Sequence, residues 1–171
     1  LIEAVSLALG FSPGLNRSFL FEGWIDFDPL LFENEKEKAK AKQFPNKSLP
    51  PILGCEYNME IANQAKSNIL AAGLDEFIKI KSSHFEELKL PKQKGFLVCN
   101  PPYGKRIGNE EELIKLYRNL GYYLKKNASG WNLWLLNGNS KLSKFIGMKA
   151  CRRFKVSNGG IDCRWLNYVI H

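Results

Sequence analysis

The apolar positions of this 171-residue chain change period along its length, and the changes predict its elements. Leu1-Ile2-Glu3-Ala4-Val5 reads as the middle of a helix, which fades at Gly10 before the loop chemistry of Ser12-Pro13-Gly14. Phe19 to Trp24 is a dense aromatic stretch, expected to be buried. Asp28-Pro29 has the pattern of an N-cap followed by proline at the first helical position. From Glu33 to Lys42 acids come early and lysines late, which predicts a solvated helix matched to its dipole and held by i,i+4 pairs. Pro45 to Pro51 is a breaker loop. Ile52-Leu53-Gly54-Cys55 is an apolar run closed by Glu56, the pattern of a buried parallel strand. Asn58 then caps a helix with Ile61, Ala65, Ile69 and Ala72 on one face and Gly73 as its stop.

Phe77 to Ile80 alternates as a strand, and Gly95 to Cys99 is another, stopped by Asn100-Pro101-Pro102-Tyr103. Glu110 to Lys126 is helical, with Leu113, Leu116, Leu120 and Leu124 on one side. Trp131 to Leu136 is an apolar strand, and Lys141 to Met148 a short helix. Phe154 to Val156 and Cys163 to Ile170 are strands joined through Asn158-Gly159, a hairpin signal. The order is helix, strand, helix, strand, strand, helix, strand, helix, closed by a hairpin. Such alternation predicts an α/β domain with a doubly wound, mostly parallel sheet and an antiparallel C-terminal hairpin. All 171 residues are expected to form one domain.

Composition narrows the picture. No apolar run reaches the ~20 residues that span a bilayer, and no secretory signal is visible. Cys55, Cys99, Cys151 and Cys163 form no CxxC pair, and His84 and His171 add no zinc-like spacing. The cysteines therefore read as reduced core residues of a cytosolic protein, and no metal is expected. Lys and Arg number 25 against 17 Asp and Glu, a net charge of +8 that suits a polyanionic partner.

The strongest chemical signal is Asn100-Pro101-Pro102-Tyr103 at a strand's carboxyl end, where ligands of open α/β sheets collect. The prolines cannot continue a ladder. An exocyclic or amide amine is a poor nucleophile because its lone pair is delocalised. The Asn100 side-chain carbonyl and the Pro101 main-chain carbonyl suit the two hydrogens of such a group, turning its lone pair toward an electrophile. Tyr103 offers a ring on which a planar base can stack. Glu56 is the acid that grips ribose hydroxyls in nucleotide-binding α/β folds, with Tyr57 placed to lie against adenine. Lys105 and Arg106 follow the motif and suit the phosphates of a polyanionic partner; Arg152, Arg153 and Lys155 lie near the hairpin.

Together these residues resemble the class I S-adenosylmethionine-dependent methyltransferases that modify amino nitrogens. Val98 to Gly104, Gly130-Trp131-Asn132-Leu133, and Asn158-Gly159 before Asp162-Cys163 look like the guanine-N2 methyltransferases of bacterial 23S ribosomal RNA. Pro13 to Phe19 and Phe21-Glu22-Gly23-Trp24 match the same subgroup, in which a THUMP domain precedes the catalytic domain. The resemblance implies a Rossmann-like sheet, S-adenosylmethionine as cofactor, ribosomal RNA as partner and a cytoplasmic location. It departs from the family pattern twice. The glycine-rich cofactor turn and its strand are not in this sequence, so the chain is expected to be an N-terminally truncated catalytic domain, inactive by itself. Where the family has an acid facing the adenine amino group, this chain has Ser82-Ser83-His84-Phe85; His84 is then either a substitute partner or a surface residue, and Phe85 packs on the adenine edge. Rival readings are an adenine-N6 methyltransferase of DNA or RNA, a glutamine-N5 enzyme, and a non-catalytic RNA-binding module.

Overall fold

The computed structural model describes residues 1–44, 48–103 and 109–171. It comprises two compact units, Leu1–Phe85 and Glu86–His171.

The first unit is built on a parallel pair, β1 (Ile52–Glu56) and β2 (Ile78–Ser82), in register from Ile52 opposite Ile78 to Glu56 opposite Ser82. Between them runs α3 (Met59–Ala71), after α1 (Ile2–Ala8) and α2 (Pro29–Lys40) earlier in the chain. Val5 and Leu9 at α1, Ile69 of α3, Leu74 and Ile78 form the core, with Phe11, Ile52 and Ile80 packed against it. Asn58 caps α3 as its sequence predicts, accepting from the backbone of Glu60 at 2.9 Å and Ile61 at 3.2 Å. At the other end Gly73 adopts φ +66°, so that its N–H reaches Leu70 and that of Leu74 reaches Ile69. This double closure satisfies carbonyls the helix would otherwise leave unpaired, and it needs the left-handed residue that glycine supplies. Of the expected face Ile69 is buried and Ala65 half-buried, whereas Ile61 and Ala72 are exposed and Ala62 is buried instead.

Two further expectations are corrected in this unit. The ion pairs of α2 are i,i+3, joining Glu33 to Lys36, Glu35 to Lys38 and Glu37 to Lys40, rather than i,i+4. The aromatic stretch is not uniformly buried. Phe19, Phe21, Phe27 and Phe32 cluster with centroid separations of 5.1 to 6.2 Å, but Leu20 and Trp24 stand 96% and 67% exposed. The side chains of Phe19 to Trp24 point around the axis of a short 3-10 turn, Leu20–Gly23, so they cannot all be buried on one side.

The second unit carries a four-stranded sheet in the order β3-β4-β6-β5. β3 (Phe96–Cys99) and β4 (Asn132–Asn137) are parallel, joined through α4 (Glu110–Asn127). β6 (Ile161–Val169) runs antiparallel to both β4 and β5 (Arg152–Asn158). α4 begins with Glu110, Glu111 and Glu112 and ends with Lys125 and Lys126, signs that suit its dipole. It buries Leu113, Tyr117, Gly121, Tyr123 and Leu124. Gly121 is the closest approach, because a Cβ there would overlap the Ile146 carbonyl of the short 3-10 helix Leu142–Ile146. The hairpin lies one residue beyond its expected centre: Asn158 pairs with Ile161, and the two turn residues are Gly159 and Gly160, at φ +58° and +79°.

The four cysteines are all reduced. Cys163 is buried and Cys55 and Cys99 are half-buried, but Cys151 is exposed, at the start of the edge strand rather than in the core. Among the described residues no helix is long and apolar enough to cross a membrane.

Candidate functional site

The Asn-Pro-Pro-Tyr motif begins where β3 stops pairing with β4 at Cys99. Asn100 is exposed, and Pro101, Pro102 and Tyr103 are half-buried. The Asn100 side-chain amide bonds to no other described residue, which leaves its carbonyl available to a ligand. Tyr103 is held on several sides. Its ring lies over Gly138, the residue after β4, so closely that a Cβ there would stand 2.5 Å from ring Cδ2 and Cε2. Its hydroxyl accepts a 2.8 Å hydrogen bond from Asn158 Nδ2 at the hairpin tip and a longer one, 3.6 Å, from the Cys163 thiol. Glycine at 138 and asparagine at 158 therefore fix the plane and tip of the tyrosine.

Two acids near the motif are held in their protonated forms. Burial pushes the thiol of Cys99 up to about 12. The Tyr117 hydroxyl, which donates to Asn137 Oδ1 at 3.5 Å, is raised by burial first and then by Cys99, Tyr103 and Tyr168. The arrangement offers neutral oxygen acceptors and an aromatic ring, a set suited to orienting an amine rather than attacking a carbonyl.

In the first unit, Glu56 ends β1 and its Oε1 accepts from the Asn58 N–H at 2.8 Å. This bond fixes the carboxylate and leaves its second oxygen for a further donor such as a hydroxyl. Tyr57, 69% exposed, stacks on exposed His84, with ring centroids 5.3 Å apart at 18°. Cys55 donates to the Ser83 carbonyl at 2.9 Å, tying the end of β1 to the loop that carries His84. Phe85 is half-buried and begins a short 3-10 helix, Phe85–Glu87. A carboxylate beside two flat exposed rings fits the ribose and adenine of an adenosyl group. The structure thus brings Tyr57 to His84 within one unit and Asn100 to Tyr103 within the other. Lys105 and Arg106 lie outside the described residues.

Sequence reasoning missed the holders of Tyr103. The Asn158-Gly159 pair reads as turn chemistry, which hides the side-chain role of Asn158, and nothing in the sequence singles out Gly138. It also missed the Tyr57–His84 stack, because residues 27 positions apart meet only through the β1–β2 register. Trp134 and Trp165 are half-buried and form a stacked row with Phe154.

Parallel β-α-β units followed by an antiparallel hairpin, with polar groups at strand ends, have the Rossmann-like arrangement of the class I methyltransferases. The fold matches the crystal structure of SMU.472 complexed with SAH at a TM-score of 0.92 and 26% identity, over 99% of this chain and 45% of that one. The family model for UPF0020, the RMKL-like methyltransferase domain, matches residues 1–167, and the chain belongs to that family. A Synechocystis relative, slr0064, is 37% identical over all of this chain and 44% of its own length. Ribosomal RNA large subunit methyltransferase K/L of Syntrophotalea carbinolica is 34% identical over 99% of this chain. The chain spans 24% of that protein's length.

Proposed function

We propose that residues 1–171 belong to the catalytic domain of an S-adenosylmethionine-dependent enzyme that methylates guanine N2 in large-subunit ribosomal RNA. The observation that carries this reading is the exposed Asn100 side chain at the end of β3, followed by two prolines and a tyrosine held by Gly138 and Asn158. When bound, S-adenosylmethionine would supply an electrophilic methyl carbon carried on a sulfonium, with S-adenosylhomocysteine as its leaving group. Glu56 binds the ribose hydroxyls, and Tyr57, His84 and Phe85 hold adenine. The Asn100 side-chain carbonyl and the Pro101 main-chain carbonyl accept the two amine hydrogens and aim the lone pair. As positive charge grows on nitrogen these acceptors bind it more tightly than they bind the neutral amine, which lowers the barrier. Tyr103 stacks on the base. The proton departs to water, since an N-methylated ammonium-like nitrogen is strongly acidic, so no general base is assigned. Lys105 and Arg106 meet the RNA backbone. The work is cytoplasmic, where ribosomal RNA is found.

The K/L relatives support the ribosomal substrate by their names. A second reading, adenine-N6 methylation, is favoured by one likeness: a predicted N6-adenine-specific DNA methylase from Listeria monocytogenes, TM-score 0.86 and 25% identical over 99% of this chain. Both amines pose the same chemical problem. The test is labelled cofactor, ribosomal RNA and the full-length protein, followed by nucleoside analysis. N2-methylguanosine is expected; N6-methyladenosine selects the second reading, and no labelled nucleoside rejects both.

A further inference from the structure

A cavity of ≈ 230 Å³ opens in the second unit, lined by Ser140, Lys144, Arg153, Arg164 and Tyr168 among others. The β5–β6 register accounts for the two arginines. Arg153 stands opposite Leu166 and Lys155 opposite Arg164, so with side chains alternating, Arg153 and Arg164 share one sheet face. Lys144 comes from the short 3-10 helix and Ser140 from the loop before it. Leu166 and Tyr168, both buried, form the cavity's inner part.

Three cations converge here with no carboxylate in the lining. None of the three forms an ion pair with a described residue, whereas Lys36, Lys38 and Lys40 of α2 each have a glutamate. Asp162, two residues before Arg164 on β6, is not part of the lining. Like charges gathered around one concavity repel each other unless an anion sits among them. Arginine forks match phosphate oxygens in a bidentate manner, and the Ser140 hydroxyl adds a donor. The Ser143 hydroxyl is already committed to the Ser140 carbonyl at 3.1 Å. Lys144, Arg153 and Arg164 are all exposed, so they grip an anion presented from outside, as a polymer's backbone is, rather than enclose a small molecule. The lining also reaches Asn137, the residue immediately before the Gly138 on which Tyr103 lies.

We infer that this cavity is a binding site for a backbone phosphate of the RNA substrate, held by Lys144, Arg153 and Arg164. The inference rests on the RNA reading proposed above. It assigns these three residues to positioning of the RNA, independent of the sequence being methylated.

The test measures RNA affinity of the full-length protein against salt by fluorescence anisotropy. The variants are Arg153→Gln, Arg164→Gln, their double, and Arg153→Lys; Lys36→Gln, taken from a paired position, is the control. Each lost arginine should lower the slope of log affinity against log salt by about 0.7, with similar weakening for cognate and unrelated single-stranded RNA. Arg153→Lys, which keeps the charge, should keep the slope and thereby shows that the site still folds. An unchanged slope in the double variant overturns the inference. So does binding of guanosine monophosphate or inorganic phosphate that the variants abolish while RNA slopes stay constant. The wild-type nucleoside product is read separately: methylated guanine with unchanged slopes defeats this site alone, and altered slopes without any methylated nucleoside defeat the enzymatic reading alone.

Discussion

Asn158 Nδ2 donates a 2.8 Å hydrogen bond to the hydroxyl of Tyr103, so the tip of the terminal hairpin holds a residue of the motif 55 positions earlier. The bond is exposed, and a neutral hydrogen bond there contributes about 1 kcal/mol or less. Asn158→Ala and Tyr103→Phe should each reduce kcat/KM several-fold. The double variant should lose little more than either single one, because both remove the same bond. Full additivity in this cycle would show that Asn158 does not position Tyr103.

Gly138→Ala tests the other holder of the ring. The added Cβ would stand 2.5 Å from two ring carbons of Tyr103 and 3.2 Å from the Cys163 sulfur. Overpacking of this kind costs roughly 1–3 kcal/mol. The ring must turn away, so turnover should fall more than stability does. Chemical denaturation should show that Gly138→Ala costs much less in a Tyr103→Ala background; an equal cost in both backgrounds would place the clash elsewhere.

Asn100→Ala removes a proposed acceptor of the amine. Turnover should drop by about 10²–10³, as for other pre-organised polar groups that act on developing charge. Affinity for S-adenosylhomocysteine, measured by calorimetry, should stay near the wild-type value, because the contacts proposed for that ligand are Glu56 and Tyr57, not Asn100. Near-normal turnover would end the proposed role.

Alkaline pH should destabilise the protein, and the sign follows from two acids that desolvation holds protonated. Burial lifts Cys99 from an ordinary 9.0 to about 12 and also raises Tyr117. Above pH 9 the unfolded chain releases protons that the folded state keeps, so stability falls as pH rises. Each group contributes a slope of about 1.4 kcal/mol per pH unit between its unfolded and folded values. Urea midpoints at pH 8, 9.5 and 11 should decline in that order. Thiol labelling of the folded protein at pH 8 should mark Cys151 first and spare Cys99 and Cys163; rapid modification of Cys99 would contradict its raised value.

Much of the architecture was legible because it is local. Caps at Asp28 and Asn58, the stop at Gly73 and the apolar runs of β1, β3 and β4 each carry their signal within a few residues. In α3 the expected face held at Ile69 but Ala62 took the place of Ile61, and in α4 Leu113 and Leu124 are buried as expected while Tyr117 and Gly121 are buried more deeply than Leu116 and Leu120, because burial is set by what packs opposite. The candidate site was legible at Asn100 to Tyr103 and Glu56, where proline and charge interrupt apolar strands. Its supports were not, since Asn158, Gly138 and Cys163 meet Tyr103 only after the antiparallel β4–β6–β5 pairing forms. The cationic cavity combines Lys144 with two arginines from separate strands, a grouping that sequence spacing does not encode.

The Gly159-Gly160 turn governs more than chain reversal. Side chains alternate across the sheet, so inserting one residue into β5 before the turn would send the Asn158 amide to the opposite side and leave the Tyr103 hydroxyl unheld. Insertions or deletions of two residues would preserve the parity. Even so, two residues advance a strand by about 6.8 Å, so the amide would keep its face and still leave the hydroxyl; the motif at the end of β3 thus sets the hairpin's length as well as its parity.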